Sequence, residues 1–177
     1  MKDFAQIQLG ILASTTGGIV SGTLLAFHVN KLEMIPGLLI MLPGFLQVCG
    51  SVIGSFAARL GSSLHLGTLK PEFSPQKIIF ANIISVVFLM LTLSLLLGVL
   101  SFGFNKYLFG NIVLSLIWMP VAASLLVIAA IVQLVFISIF FLYKNGIDPD
   151  NIMGPYITTV IDLVSVGALL LIIVVIT

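Results

Sequence analysis

Five long apolar stretches constrain the fold of this chain more than any other feature of its sequence. They cover about residues 7–29, 35–63, 78–102, 111–142 and 155–176. Each reaches the roughly 20 apolar residues that a helix needs to cross a lipid bilayer. Only 7% of the residues are charged, whereas soluble domains carry about 25%. The sequence therefore predicts an all-α integral membrane protein with five transmembrane helices.

The connectors between these stretches hold nearly all of the charge, and the sequence shows no soluble module, heptad repeat or low-complexity segment. We therefore expect residues 1–177 to form a single transmembrane domain. The first stretch lacks a small-x-small cleavage site at its end, so we interpret it as a retained helix rather than a signal peptide. The net charge of +1 and the lack of a dense basic segment argue against nucleic acid as a partner.

The distribution of lysine and arginine predicts the orientation in the membrane, because cytoplasmic connectors are enriched in basic residues. Lys31 and Lys106 lie on one side. The opposite side, which includes the N-terminus and the second and fourth connectors, holds Lys2, Arg59, Lys70, Lys77 and Lys144. We expect a multi-pass protein of the cell membrane with its N-terminus in the cytoplasm and its C-terminus outside.

The second stretch carries the strongest signals for irregular structure. Pro43 lies inside it, and a proline in a helix interior removes a hydrogen bond and bends the chain. Irregular backbone at membrane depth persists only where protein or a watery cavity surrounds it. We therefore predict a second helix broken by proline and glycine beside a pathway, with a simple kink at Pro43 as the alternative.

Glycines four residues apart occur in the first two stretches. Gly18 and Gly22 form one pair, and Gly50 and Gly54 form the other. Such spacing allows the backbones of two membrane helices to approach closely. It predicts tight helix contacts in the first half of the chain, either within one subunit or between two.

Asp162 is the acidic residue that lies well inside a predicted span. It is about eight residues, or roughly 12 Å, into the fifth stretch, where an aspartate costs about 2.5–3.5 kcal/mol to insert. Thr158, Thr159 and Ser165 share its helix face. Hydroxyls and a carboxylate are hard oxygen ligands that suit Mg²⁺ or Ca²⁺. The stripe indicates a divalent-cation site, and a hydrogen bond between helices or a proton relay are the alternatives.

Two further acids, Asp148 and Asp150, precede the fifth stretch. They could gather cations at a pore mouth by focusing the electric field. Solvated loop acids that cap the following helix are the alternative.

The sequence offers little for catalysis or for binding of soft metals. Cys49 is the single cysteine, and it is interpreted as a small core residue. Neither a Ser-His-Asp order, an HExxH motif, a P-loop nor a dinucleotide fingerprint occurs. We therefore do not expect an enzyme.

Two segments resemble the MgtE family of magnesium channels. DPDNIMGPYITTVIDLVS has the pattern of that family's last membrane helix, carried by Asp148, Pro149, Gly154, Pro155, Thr158, Thr159 and Asp162. The second helix of the family resembles the segment IPGLLIMLPGFLQVCGSVIGSFAARLGSSLHLG. The similarity is closest to the related eukaryotic solute-carrier magnesium transporters. The matching positions are Pro43, Gly50, Ala57, Arg59, Leu60 and Gly67. Five spans also equal the family's membrane module, so the resemblance covers essentially the whole chain.

The resemblance implies a dimer whose two copies enclose a Mg²⁺ pore. It implies that Asp162 is the central ion ligand and that Asp148 lines the cytoplasmic side, with Thr158 and Thr159 nearby. The family commonly has asparagine where this chain has Ser51, a shorter side chain that still accepts a hydrogen bond from a hydrated ion. We expect no counterpart here of the large cytoplasmic regulatory region of MgtE channels.

We hypothesise a parallel dimer that conducts Mg²⁺ or a similar divalent cation. Each copy supplies one carboxylate at depth, and two opposed copies of Asp162 balance a doubly charged ion. Mg²⁺ keeps its waters and is often held by one or two carboxylates. The partner is a second copy or a similar five-helix half. A proton-coupled transporter of another solute and a non-conducting structural or assembly subunit remain alternatives.

Overall fold

The structure, a computed structural model, describes residues 2–70, 72, 76–145 and 149–176. Over these ranges it contains six helices and no strand. They are α1 (Lys2–Phe27), α2 (Val29–Glu33), α3 (Pro36–His65), α4 (Lys77–Phe109), α5 (Ser115–Lys144) and α6 (Pro149–Ile176).

The five long helices correspond to the five predicted spans. Each of α1, α3, α4, α5 and α6 is long and apolar enough to cross a membrane. A helix satisfies its own backbone hydrogen bonds, which lipid cannot do. The prediction of an all-α, multi-pass membrane protein is confirmed, and the short helix α2 is an addition within the first connector.

Two helices extend well beyond the apolar stretches that predicted them. α4 continues to Phe109 rather than ending near residue 102, and α6 begins at Pro149 rather than near residue 155. Hydropathy detects the part of a helix that lies in hydrocarbon. The terminal turns of these helices carry Asn105 and Lys106 in α4 and Asp150 and Asn151 in α6, which interrupt the apolar run, so hydropathy misses them.

α3 is one continuous helix, which corrects the predicted break in the second span. Pro43 lies inside Pro36–His65. A proline removes one helical hydrogen bond, and the bonds of the turns on both sides keep the helix continuous. Pro36 occupies the start of α3, where a missing N–H costs nothing because that group has no helical partner.

α6 is one of three central helices, α3, α5 and α6, that all pack on one another. It packs against α1, α3 and α5, while α4 packs against α3 and α5. α1 has few buried side chains and packs mainly against α6. The buried apolar core is formed mostly by α3, α5 and α6, and it includes Phe45, Phe56, Met119, Ile139 and Leu169. The central position of α6 fixes the surroundings of Asp162.

α4 and α5 approach most closely where α4 carries Gly98. A side chain at this position would collide with the backbone of Ile117 in α5. Glycine is therefore required by the close approach of two helix backbones, as is common between membrane helices.

Asn105 joins the ends of three helices. Its side chain is fully buried. Its Oδ1 accepts the backbone N–H of Gly37 at the start of α3 at 3.0 Å. Its Nδ2 donates to the carbonyl oxygen of Asn111, just before α5, at 2.9 Å. One amide thus satisfies a helix N–H and a loop carbonyl that have no helical partner of their own.

We expect Asn105→Leu to destabilise the protein, because both backbone groups lose their partner inside the structure. A buried polar group left without a hydrogen bond costs about 1–3 kcal/mol. Thermal unfolding in detergent should show a clearly lower midpoint. Asn82→Leu is the control, since the Asn82 amide donates to the Ile78 carbonyl within its own helix. Equal midpoints for the two variants would contradict this role of Asn105.

Candidate functional site

Asp162 lies at the middle of α6. Thirteen residues of the helix precede it and fourteen follow it, and its side chain is partly buried. The apolar part of α6, Ile157–Ile176, begins five residues before Asp162, so the carboxylate lies inside the span. A carboxylate at such depth faces protein or water rather than lipid.

Two helices flank Asp162. Thr159 packs so closely on Gly17 of α1 that any side chain replacing that glycine would collide with it. Ser165 faces Cys49 of α3. Successive helix residues are about 100° apart, so Asp162, three residues from each, points midway between these two contacts. The carboxylate therefore faces the space between α1 and α3.

This space, which we call the Asp162 cleft, is bounded by α1, α3 and α6. α1 and α3 have little contact with each other, so they do not close it. Thr158, one turn before Asp162 on the same face of α6, is exposed. The half-buried side chain of Asp162 and the exposed side chain of Thr158 are therefore accessible to water or to a hydrated ion.

Ser165 belongs to the contact between α3 and α6 rather than to the cleft. Its hydroxyl is fully buried and finds no nitrogen or oxygen partner within the described ranges. The thiol of Cys49, a weak donor, faces it, and Asp162 lies nearby. Cys49 is buried as predicted, and it lies directly behind the candidate site.

A polar stripe runs along the exposed side of α3. It consists of Gln47, Ser51, Ser55 and Arg59, which are spaced one turn apart and are all exposed. Gln47 Nε2 donates to Ser51 Oγ at 3.3 Å, and Ser55 Oγ donates to the Ser51 carbonyl at 2.7 Å. Arg59 Nε donates to the Ser55 carbonyl at 3.3 Å. Such a surface is unsuited to lipid, because polar groups within the membrane face protein or water.

Ser51 lies on this α3 polar stripe and not beside Asp162. Cys49 faces α6, and Ser51, two residues further along, points about 160° away from it. Within one copy the structure brings Thr158 and Thr159 to the side of Asp162 and leaves Ser51 on an outward face. Asp148 lies outside the described residues.

The glycine pairs predicted from their spacing face open space. A Cβ atom added at Gly18, Gly22, Gly50 or Gly54 would meet no atom within 4 Å. Tight packing within one copy therefore does not explain either pair. The close helix contact in α1 is made instead by Gly17, which belongs to neither pair and packs against Thr159 of α6. Its signal in the sequence was the adjacent Gly-Gly.

The described residues of one copy do not assemble a complete metal site. Among them, no three histidine, cysteine, aspartate or glutamate side chains come together. The α3 polar stripe was also missed from the sequence, although its polar residues recur every fourth position. A site for a divalent ion would need groups beyond those that one copy gathers here.

A model of one protein family matches residues 42–172 of the chain. That family is MgtE, described as divalent cation transporter. The match spans most of α3, all of α4 and α5, and α6 as far as residue 172, and so includes both the polar stripe and Asp162. No curated protein matches the chain, and no solved structure matches it.

Proposed function

The chain belongs to the MgtE family of divalent cation transporters, and from this premise we propose that two parallel copies conduct Mg²⁺ along a path lined by Asp162. Each copy contributes the carboxylate of Asp162, which lies inside the apolar span Ile157–Ile176. Together the two carboxylates offer two negative charges to a doubly charged ion. The activity is transport, and the family is one of transporters rather than enzymes.

The observation that carries this proposal is the position of Asp162. Its carboxylate is partly buried, lies at the midpoint of α6 and faces a cleft between α1 and α3. A carboxylate that only joined two helices would be enclosed by its partners. The open cleft with the exposed Thr158 beside it favours an ion pathway instead.

The need for a second copy is supported by the outward face of α3. The α3 polar stripe is exposed over about three helical turns, and the nearby Gly50 and Gly54 have open space at their Cβ positions. A second copy that packs against this face of α3 would remove the stripe from lipid. Small residues at such a seam let the two backbones come close.

The proposed ligands are all oxygen atoms, which suits a hard cation. Asp162 provides charge, and Thr158, Thr159 and Ser51 provide hydroxyls. Mg²⁺ gives up water reluctantly, so we propose that the hydroxyls act through the waters of a hydrated ion. Ser51 would contact the ion from the α3 seam of the dimer, and Asp148 would draw cations to the cytoplasmic entrance.

We also propose the orientation that the basic residues favour, with the N-terminus in the cytoplasm and the C-terminus outside. The 177 residues would then act as one transmembrane domain within each copy. A cysteine introduced at the C-terminus should react with a membrane-impermeant reagent in intact cells. A cysteine introduced at the N-terminus should react only after the cells are opened.

Reconstitution in liposomes tests the function itself. Purified protein should admit external Mg²⁺ to vesicles that contain a Mg²⁺-sensitive dye, with no pH gradient imposed, and vesicles without protein should not respond. Transport that requires a proton gradient and no divalent ion would identify a proton-coupled transporter of another solute. A folded protein with no flux under any gradient would identify a structural subunit.

A further inference from the structure

A groove lies between α4 and α5. It is at the end of this helix pair that is remote from the tight contact at Gly98. It has a volume of about 360 Å³ and is lined by Ile79, Ile83, Val132, Gln133, Phe136 and Ile137. Apart from the amide of Gln133, every lining side chain is apolar. In a protein that crosses a membrane, such a groove on the surface is in contact with lipid.

Gln133 is the one polar residue that lines this groove. Its side chain is exposed and makes no hydrogen bond to any part of the chain that the structure describes. An amide that faces hydrocarbon without a partner is unfavourable. A molecule that occupies the groove and carries a hydrogen-bond acceptor at this level would relieve it.

The groove continues along α4 towards a basic end. A second depression shares Ile79 and Ile83 with it and reaches Gln76 and Lys77 at the start of α4. Lys70 is held beside Gln76 by two hydrogen bonds, from Lys70 N to Gln76 Oε1 at 3.0 Å and from Gln76 Nε2 to Lys70 O at 2.9 Å.

This end of the groove favours an anion. The first turn of α4 contains no acidic residue, and no side chain caps its free N–H groups, which attract negative charge. Lys70 and Lys77 add two positive charges. Glu72 is also exposed in this connector, and the two lysines outweigh it.

The distance between the basic end and the amide matches a glycerophospholipid. Gln133 lies opposite Ile79 and Ile83, which follow Lys77 by two and six residues, or about 3–9 Å along the helix axis. In such a lipid the phosphate is separated from the ester carbonyls by a few ångströms, and the acyl chains follow. The same order of anion, acceptor and hydrocarbon fits the groove.

We propose that the α4–α5 groove binds one anionic glycerophospholipid. Its phosphate lies at Lys77 and the start of α4, an ester carbonyl accepts a hydrogen bond from Gln133 Nε2, and an acyl chain lies against Ile79, Ile83 and Phe136. The proposal is independent of the transported ion, because its test measures lipid binding and not transport.

Native mass spectrometry of the purified protein in detergent tests the headgroup site. With added dioleoylphosphatidylglycerol, the wild-type protein should retain the lipid about fivefold better than dioleoylphosphatidylcholine, as expected for one lysine near an anionic lipid. Lys77→Gln should remove that preference. Lys106→Gln, at the other end of α4, is the matched control and should keep it.

A second variant tests the proposed hydrogen bond from Gln133 Nε2 to the ester carbonyl of the lipid. Gln133→Leu should weaken retention of phosphatidylglycerol by about threefold, the usual size of one hydrogen bond in a membrane protein. An ether-linked phosphatidylglycerol, which lacks the carbonyls, should bind wild type and Gln133→Leu equally. Equal retention of the two headgroups by wild type, or an equal loss in Lys106→Gln, would overturn the proposal. Displacement by inorganic phosphate would overturn it in favour of a phosphate site.

Discussion

Asp162→Asn should abolish divalent-cation flux while the protein still folds and forms dimers. Asparagine keeps the shape of the side chain and its ability to form hydrogen bonds, and it removes one negative charge from each copy. Both charges that balance the ion are then lost. A net loss of about 3 kcal/mol in ion binding would already lower occupancy by roughly a hundredfold. Mg²⁺ entry into dye-loaded liposomes, at matched protein content, provides the measurement.

Thr159→Val separates the charge of Asp162 from the packing around it. Valine has nearly the shape of threonine and keeps the contact with Gly17 of α1. A hydroxyl that acts through water contributes modestly, so flux should fall only a few-fold. Wild-type-like flux in Asp162→Asn would show that the carboxylate serves as a hydrogen-bonding group between helices.

Gly54→Leu should separate the two copies without unfolding either of them. Within one copy a side chain at this position meets no atom within 4 Å, so the fold has room for it. In the proposed dimer the same position lies at the seam where the second copy packs on α3. Overpacking costs about 1–3 kcal/mol, which corresponds to association weaker by roughly 5- to 150-fold. Mass measurement in mild detergent should show monomers, and flux should be lost with the dimer.

Gly103→Leu is the matched control for this change. Like Gly54, Gly103 is a helical glycine with open space at its Cβ position. It is exposed, whereas Gly54 is half-buried, and it lies on α4, away from the α3 polar stripe. This variant should remain dimeric and active, with a thermal midpoint close to that of Gly54→Leu. A dimeric, active Gly54→Leu protein would exclude the α3 seam.

The number of spans and the position of Asp162 inside one of them could be predicted, because both can be read from the order of apolar and charged residues along the chain. A run of apolar residues records the thickness of the bilayer, and an acid inside such a run is conspicuous. The continuity of α3 through Pro43 could not be predicted in the same way. Whether a proline breaks a helix depends on the strength of the flanking turns, which the local sequence does not reveal.

The surroundings of the site depend on which helices become neighbours. The contact between Gly17 and Thr159 and the contact between Cys49 and Ser165 join residues that are more than a hundred positions apart, and hydropathy contains no information about such pairs. The glycine spacing predicted close helix contacts, and within one copy neither glycine pair makes one. Only the three-dimensional arrangement shows that Gly50 and Gly54 point away from the other helices of the same copy.

Mixed dimers test the central claim most directly, namely that two copies of Asp162 share one ion path. Wild-type and Asp162→Asn chains can be mixed in equal amounts, allowed to exchange subunits at random and reconstituted together. If each path needs both carboxylates, only wild-type pairs conduct, and flux should fall to about a quarter of the wild-type value, as expected for random pairing in a symmetric dimer. A fall to about one half, in proportion to the wild-type chains present, would show that each copy conducts alone and would contradict the paired-carboxylate account.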